Sequence, residues 1–435
     1  MLVQFITHIE TNFPFLKKKR LLLACSGGLD SVVLLHVCAQ LDLDITLAHC
    51  NFNLRGEESD GDESLVRKLA AQFKVPIKVK SFDTVHYMKD HKGSVQMVAR
   101  ELRYTWFDEI AHKEGFDYVL TAHHADDSLE TFLINLSRGT GIGGLIGIPL
   151  QNGKVLRPLL HFSKETILEY AKTEHVVWRE DSSNTENKYL RNKVRNEIIP
   201  KLKELNPSFL ANYGKTQGHL LQTSILTQKH MDGLRNEIFE KFGDHYKINI
   251  EHLEHLHPVD AYLYELFKGF GFTEWNDIKG LLTALSGKEV TSKTHRLIKD
   301  RDYLLLTKKA DLGERVFHIS EKDKQISMPI QLKLEATKTL EIISKNVIFL
   351  DKEKLNYPLV LRKWEKGDYF YPFGMKGKKK LSKFFKDEKM DTLSKEKQWL
   401  LCSDNSIVWV IGKRLDERFK VGSDTKHILK ITFSV

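Results

Sequence analysis

Residues Ser26-Gly27-Gly28-Leu29-Asp30-Ser31 constrain this chain more than any other stretch. They follow Leu21-Leu22-Leu23, an apolar run with the character of a buried strand. They precede Val32-Val33-Leu34-Leu35-His36-Val37, which reads as a helix. Adjacent glycines permit a tight strand-to-helix turn and let the backbone approach a ligand with no Cβ in the way. Backbone N–H groups at such a turn, with the helix N-terminus behind them, form an anion site. Ser26 and Ser31 add hydroxyls, and Asp30 adds a carboxylate suited to Mg²⁺ or a ribose. No Gly-Lys-Ser/Thr follows the turn, so it is not a Walker A loop.

Strand and helix signals then alternate. Strands are expected at 45–50, 77–81, 118–122 and from Val155, with helices at 64–73, 95–112, 128–137 and 164–173. A short amphipathic helix is expected over the first dozen residues, from Val3, Phe5, Ile6 and Ile9. Lys17-Lys18-Lys19-Arg20 reads as a solvated strand entry, with a nucleic-acid contact as the lesser alternative. The alternation predicts an α/β fold, a parallel twisted sheet with helices on both faces. Ligands of such sheets lie beyond the carboxyl ends of the strands, so the residues just after each strand matter most.

After the second strand comes the polar loop Asn51-Phe52-Asn53-Leu54-Arg55. Arg100 and Arg103 share a helix face, and either one can reach phosphate or serve a surface ion pair. After the fourth strand, His123-His124-Ala125-Asp126-Asp127-Ser128-Leu129-Glu130 is the densest polar cluster in the chain. Asp127 and Glu130 point one way if a helix begins near Asp126. Helix capping explains one of these acids but not the whole cluster. Gly139–Gly144 spells G-x-G-x-x-G, but it follows a helix rather than a strand, so a loop is the better reading than a dinucleotide site. Asp181-Ser182-Ser183-Asn184 starts a polar turn, and Arg191 and Arg195 follow at i, i+4, facing either phosphate or the active site.

From about Pro207 the pattern becomes helical, with no catalytic constellation up to Lys309. The tail then turns basic: Arg362 to Lys389 holds ten Lys/Arg against four Asp/Glu, interleaved with aromatics. Such a mixture suits RNA, where charge holds phosphates and rings stack on unpaired bases; the competing reading is a solvated lysine face over an aromatic core. The expected division is 1–207 for nucleotide binding and catalysis, 208–310 for a helical positioning domain and 311–435 for a small α+β C-terminal domain. The net charge of +9 agrees with a polyanionic partner without deciding it. The four cysteines form no Cys-x-x-Cys pair, which points to buried thiols in a reducing compartment. With no long apolar run and no signal-peptide pattern, a cytoplasmic protein without membrane contact is expected.

The Ser26–Ser31 hexapeptide resembles the signature of the PP-loop ATPases, which implies a Rossmann-like domain that cleaves ATP between its α and β phosphates. Asn51–Arg55, Ala99-Arg100-Glu101-Leu102-Arg103-Tyr104, His123–Thr131, Arg157-Pro158-Leu159-Leu160 and Asp181–Arg195 resemble one family, the tRNA(Ile)-lysidine synthetases. Gly374–Phe385 and Trp409–Arg414 resemble that family's tRNA-binding tail. The resemblance implies adenylation of the first anticodon cytidine of tRNA(Ile) with a CAU anticodon. L-lysine then attacks C2, giving lysidine, AMP and pyrophosphate. Codon reading moves from AUG to AUA, and charging from Met to Ile. It further implies ATP held by Ser26, Gly27, Gly28, Leu29, Asp30 and Ser31, with Mg²⁺ at Asp30. Arg103 would stabilise the α-phosphate, while His123, Asp127 and Glu130 orient lysine. Arg191, Arg195, Lys378, Lys379, Lys380 and Lys383 are the residues expected to meet tRNA, and a homodimer is left open.

Three other functions compete with this one. A tRNA 2-thiolase needs reactive cysteines or an iron–sulfur cluster. A tRNA-binding protein without catalysis would not need the loop and the His/Asp/Glu cluster together. An amidotransferase-type synthetase would carry a glutaminase segment, and none is apparent.

Overall fold

A computed structural model describes residues 1–54, 56–90, 93–180, 190–309, 316–340 and 344–434. Arg55 and Asp181–Asn184 lie outside the described residues. The chain forms two compact units, Met1–Gln228 and Lys229–Val435.

The first unit is built on strands β1 (Leu21–Ala24), β2 (Ile45–Asn51), β3 (Ile77–Ser81), β4 (Tyr118–Leu120), β5 (Gln151–Asn152) and β6 (Val155–Leu156). Their order is β3-β2-β1-β4-β6-β5, parallel except for the β5–β6 hairpin. Leu21 pairs with Ile45 on one side and Tyr118 on the other, which fixes the register at the centre. Helices α1 (Leu2–Asn12), α2 (Leu29–Gln40), α3 (Glu57–Gln72), α4 (Thr84–Asp90), α5 (Val95–Glu114), α6 (Ala125–Ser137), α7 (Ile142–Leu145), α8 (Lys164–Thr173), α9 (Leu190–Lys193), α10 (Ile199–Leu205) and α11 (Phe209–Ile238) follow in chain order. A π turn, Val194–Ile198, joins α9 to α10.

The period of two along β1 explains the layers. Leu21 and Leu23 enter a core with Val32, Leu35, Ile167 and Phe5, from α2, α8 and α1. Leu22 turns to the other face and packs with Trp106, Phe107 and Ile110 of α5. All three leucines are fully buried, each contributing about 1.5–3 kcal/mol. Since β1 lies between β2 and β4, the chain reverses direction of travel across the sheet there, and the crevice beyond the ends of β1 and β4 is the expected ligand position.

The second unit begins with helices α12 (Ile250–Glu254), α13 (Val259–Phe267) and α14 (Trp275–Leu281) set against a five-stranded antiparallel sheet. Its strands are β7 (Phe239–Phe242), β8 (His245–Asn249), β9 (Glu289–Thr291), β10 (His295–Asp300) and β11 (Tyr303–Lys308). Helical periodicity alone did not pick out this sheet. The remainder holds β12 (Val316–Ile319), β13 (Gln325–Ile326), β14 (Gln331–Thr337), β15 (Val347–Asp351), β16 (Leu359–Lys363), β17 (Tyr369–Phe370), β18 (Lys379–Lys380), α15 (Leu381–Asp387), α16 (Thr392–Lys397), β19 (Trp399–Ser403), β20 (Ser406–Val410), β21 (Arg414–Leu415) and β22 (Ile428–Ser434). Two antiparallel sheets, β12-β16-β19-β20-β21 and β13-β14-β22-β15, enclose Trp409, Leu401 and Ile431. Leu393 of α16 packs on Ile298 and Leu305, and Arg296 bridges Glu289 and Glu396, so the two halves of this unit share an interface. Among the described residues no helix is long and apolar enough to cross a membrane.

Candidate active site

The turn between β1 and α2 is held by its own hydroxyls. Ser31 Oγ accepts the Ser26 N–H at 3.1 Å and donates to the Gly28 carbonyl at 2.9 Å. Gly27 has φ +90°, a region that L side chains avoid. The Gly27 carbonyl accepts from Arg179 N at 3.1 Å, and Arg179 pairs with Asp62 of α3 at 2.9 Å. Beneath the turn, His49 Nδ1 lies 2.9 Å from the Cys25 carbonyl. A carbonyl only accepts, so the proton sits on Nδ1.

The turn between β4 and α6 supplies the second half. Asp127 Oδ2 accepts the His124 N–H at 3.1 Å, which caps α6. The capping reading was therefore correct for this oxygen, while Oδ1 faces Arg195 at 3.2 Å and Arg191 at 3.4 Å. One helical turn on, fully buried Glu130 pairs with the same two arginines, Arg191 Nε at 2.7 Å and Arg195 Nη2 at 3.0 Å. The i, i+4 arginines thus meet carboxylates of α6.

His124 joins the two halves. It is buried, with Nε2 3.7 Å from Asp30 Oδ2 and 3.5 Å from Asp127 Oδ2. Its Nδ1 lies 3.7 Å from Asp126 Oδ2. Asp126 is fixed in turn by Lys203 Nζ and the Lys164 N–H, each at 2.8 Å. Burial raises the Asp30 carboxyl pKa, and Asp127 raises it further, against His124, Lys164 and Arg195. Burial would also raise Asp127, but the neighbouring histidines and Arg191 outweigh it and hold the carboxyl below its ordinary range.

His123 has the opposite surroundings. Burial, with help from Arg157, Arg100 and Arg191, lowers its pKa to about 4 against the pull of Asp127. The imidazole is therefore neutral at neutral pH, with Nδ1 3.1 Å from Thr121 Oγ1. Arg100 thus lies within electrostatic range of His123. Arg103 instead stacks over Phe52, 5.3 Å from the ring centroid, and bears on the Cys50 thiol at the end of β2.

Asp30 Oδ1 is buried and has no hydrogen-bond partner. An orphaned carboxylate oxygen with Asp127 nearby fits Mg²⁺, which binds through one or two carboxylates plus water and phosphate. Among the described residues no group of three His, Cys, Asp or Glu could hold a metal without such help.

The cysteines are free. Burial pushes Cys25 up to about 11 and Cys38 and Cys50 to about 12, so these thiols are poor nucleophiles. Gly139–Gly144 leads into the short helix α7, and Asn135 Nδ2 donates to the Gly144 carbonyl at 2.9 Å. Sequence reasoning singled out His123 over His124 and gave no role to Asp126, Lys203 or Arg179. The doubled His and doubled Asp were a usable signal for His124 and Asp126. Lys203 and Arg179 had none, because their partners are distant in the chain.

In the second unit, Lys378, Lys380 and Lys383 are exposed, while Lys379 pairs with Asp387 at 2.7 Å. Lys378 lies 5.2 Å from the centroid of exposed Tyr369. Phe370, Phe384 and Phe385 are core residues. Both readings of the tail are thus present, a lysine face with Tyr369 and Phe373 exposed and an aromatic core beneath it.

A PP-loop domain family matches residues 1–202, the TilS substrate binding domain matches 240–309 and the TilS substrate C-terminal domain matches 359–431. The tRNA(Ile)-lysidine synthase of Parabacteroides distasonis is 41% identical over 432 residues, 98% of each chain. The chain belongs to the tRNA(Ile)-lysidine synthase family. The tRNA(Ile)-lysidine synthase of Bacteroides thetaiotaomicron is 38% identical over 428 residues, 98% of this chain and 97% of that one. Among solved structures, a U34-tRNA thiolase from Methanococcus maripaludis has a TM-score of 0.44 at 16% identity, covering 51% of this chain and 79% of that one. In this tRNA(Ile)-lysidine synthase family member the ATP-binding PP-loop match takes in both halves of the site and both arginines of α9 and the π turn. The lysines of β18 and α15 fall within the C-terminal match.

Proposed function

We propose that this protein joins L-lysine to C2 of the first anticodon cytidine of tRNA(Ile) with a CAU anticodon, consuming ATP. The observation that carries the reading is the convergence of the glycine turn and the acidic helix start on His124, 3.7 Å from Asp30 and 3.5 Å from Asp127. A phosphate cradle and a cation seat in one cleft are what adenylation followed by amine attack requires.

In the first step, cytidine O2 attacks the α-phosphorus of ATP and pyrophosphate leaves. Backbone N–H groups at the start of α2, Leu29 to Ser31, receive the phosphates, and Arg103 stabilises charge at the α-phosphate. Asp30 would hold Mg²⁺, which when bound neutralises phosphate charge. In the second step the lysine ε-amine attacks C2 and AMP leaves. With a pKa near 10.4, roughly one lysine in a few thousand carries a neutral amine at pH 7. Asp127 and Glu130 orient the lysine. Attack makes the nitrogen cationic and far more acidic, and His123, neutral in its buried setting, takes that proton. A base with a pKa of about 4 suits this acidic adduct better than it suits free lysine.

Lys378, Lys380 and Lys383 hold tRNA phosphates. The division into 1–207, 208–310 and 311–435 assigns chemistry to the first part and substrate handling to the other two. Incubation with ATP, L-lysine and tRNA(Ile), followed by nuclease mapping and mass spectrometry, tests the function. A mass gain of lysine minus water on the first anticodon cytidine is expected. An unchanged cytidine alongside folded protein that still binds ATP and tRNA would refute the reading.

A further inference from the structure

All four oxygens of Asp127 and Glu130 are already engaged. Glu130 Oε2 accepts from Arg191 Nε at 2.7 Å and Arg195 Nη2 at 3.0 Å, and its Oε1 accepts from Arg195 Nε. Asp127 Oδ1 faces both guanidiniums, and Oδ2 is held by the His124 N–H. Two carboxylates meeting two guanidiniums carry no net charge. Among the described residues, an arriving ammonium therefore finds every oxygen of this pair engaged and no net negative charge on the pair and its two arginines.

The two arginines are not equally committed. Arg195 makes three contacts to the pair, and its side chain is 26% exposed. Arg191 makes two, one of them at 3.4 Å, and is 39% exposed on a four-residue helix. A guanidinium exchanges a carboxylate for a phosphate at little cost, because both accept its paired N–H groups. When Arg191 leaves, Glu130 Oε2 loses its nearest donor and the remaining trio is net negative.

We infer that Arg191 sets the order of substrate binding: it occupies the amine seat until a phosphate draws it away, so L-lysine enters only afterwards. This rests on the reading that Asp127 and Glu130 seat the lysine. The phosphate belongs either to ATP or to the tRNA backbone. By linkage, whichever one releases Arg191 and L-lysine must strengthen each other's binding equally.

Calorimetric titration of L-lysine into the full chain tests this, with the protein alone, with a non-hydrolysable ATP analogue, and with unmodified tRNA. The wild type should bind lysine at least about tenfold more tightly in one phosphate arm, and that arm identifies the source. Arg191→Gln should reach a similar gain, about tenfold, with neither present. Arg138→Gln, which removes the same charge from the exposed far end of α6, should stay within about twofold of wild type. The inference is overturned if Arg191→Gln alone binds no more tightly than wild type, or if Arg138→Gln matches it. Asp127→Asn and Glu130→Gln separate this from the underlying reading. If lysine binding survives both in every arm, the amine seat lies elsewhere, whatever Arg191 does.

Discussion

His124 Nε2 stands 3.7 Å from Asp30 Oδ2, although the two residues belong to turns after different strands, β4 and β1. The parallel order β2-β1-β4 brings their two turns side by side. Neighbouring parallel strands deliver their carboxyl ends, and the loops that follow, to one edge of the sheet.

His123 should separate the two chemical steps. Replacing it with Ala is expected to slow lysine transfer by about 10²-fold or more, the usual size of a lost acid–base contribution. Pyrophosphate release in the presence of tRNA should stay near the wild-type rate. Equal loss of both steps would remove His123 as the proton acceptor.

The same histidine predicts an acid-sensitive stability. Its folded pKa of about 4 lies below the unfolded value near 6.5. As pH falls through that window the unfolded chain takes up the proton first. Stability is therefore full above about pH 6.5 and declines towards pH 4, by about 3 kcal/mol for this group. His8 is lowered to about 4 by burial and by His161, and adds a decline of its own. Urea denaturation across this range should show a shallower fall for His123→Asn than for wild type.

Gly27→Ala probes the turn. An added Cβ would meet the Asp62 carbonyl oxygen at 3.5 Å, an ordinary contact, so the cost comes from φ +90°. A strain of about 1–2 kcal/mol is expected, appearing mainly as weaker ATP binding by calorimetry, with a modest loss in Tm.

Gly147→Ala should be worse for the fold. A Cβ there would lie 2.5 Å from Ser128 Oγ and 2.7 Å from Tyr213 Oη, at φ +76°. Ser128 links α6 to Tyr213 and Gln217 of α11. A loss of about 2–4 kcal/mol is expected in chemical denaturation.

Changing Lys378, Lys380 and Lys383 together to Gln should weaken tRNA binding and flatten its salt dependence. Each lost phosphate contact should remove about 0.7–0.9 from the log–log slope. Filter binding between low and moderate salt reads this out; an unchanged slope would place these lysines off the RNA.

The α/β half was legible because Leu21–Leu23 and the strands around it are short apolar runs bounded by turns. Strands β7 and β8 were not, since Phe239-Glu240-Lys241-Phe242 and His245-Tyr246-Lys247-Ile248-Asn249 are mostly polar and bury only scattered positions. The spacing of Arg191 and Arg195 told that they share a direction, but not that Glu130 would receive them. The core role of the tail aromatics was readable in hindsight. Leu381, Phe384 and Phe385 recur at i, i+3, i+4, the stripe of a buried helix face, with Lys383 and Lys386 between and beyond them.

Strand β22 lies between β14 and β15, paired with β14 over Ile428–Ser434 and with β15 over Ile428–Thr432. The last strand of the described chain is thus an interior one. During synthesis the earlier sheet of this unit can close as it emerges, whereas β14 and β15 stay exposed as two open edges until Ile428–Ser434 arrives. A nonsense or frameshift change after Lys420 would spare every residue proposed here for chemistry or RNA, yet leave a sticky, unfinished sheet for proteases and aggregation to find.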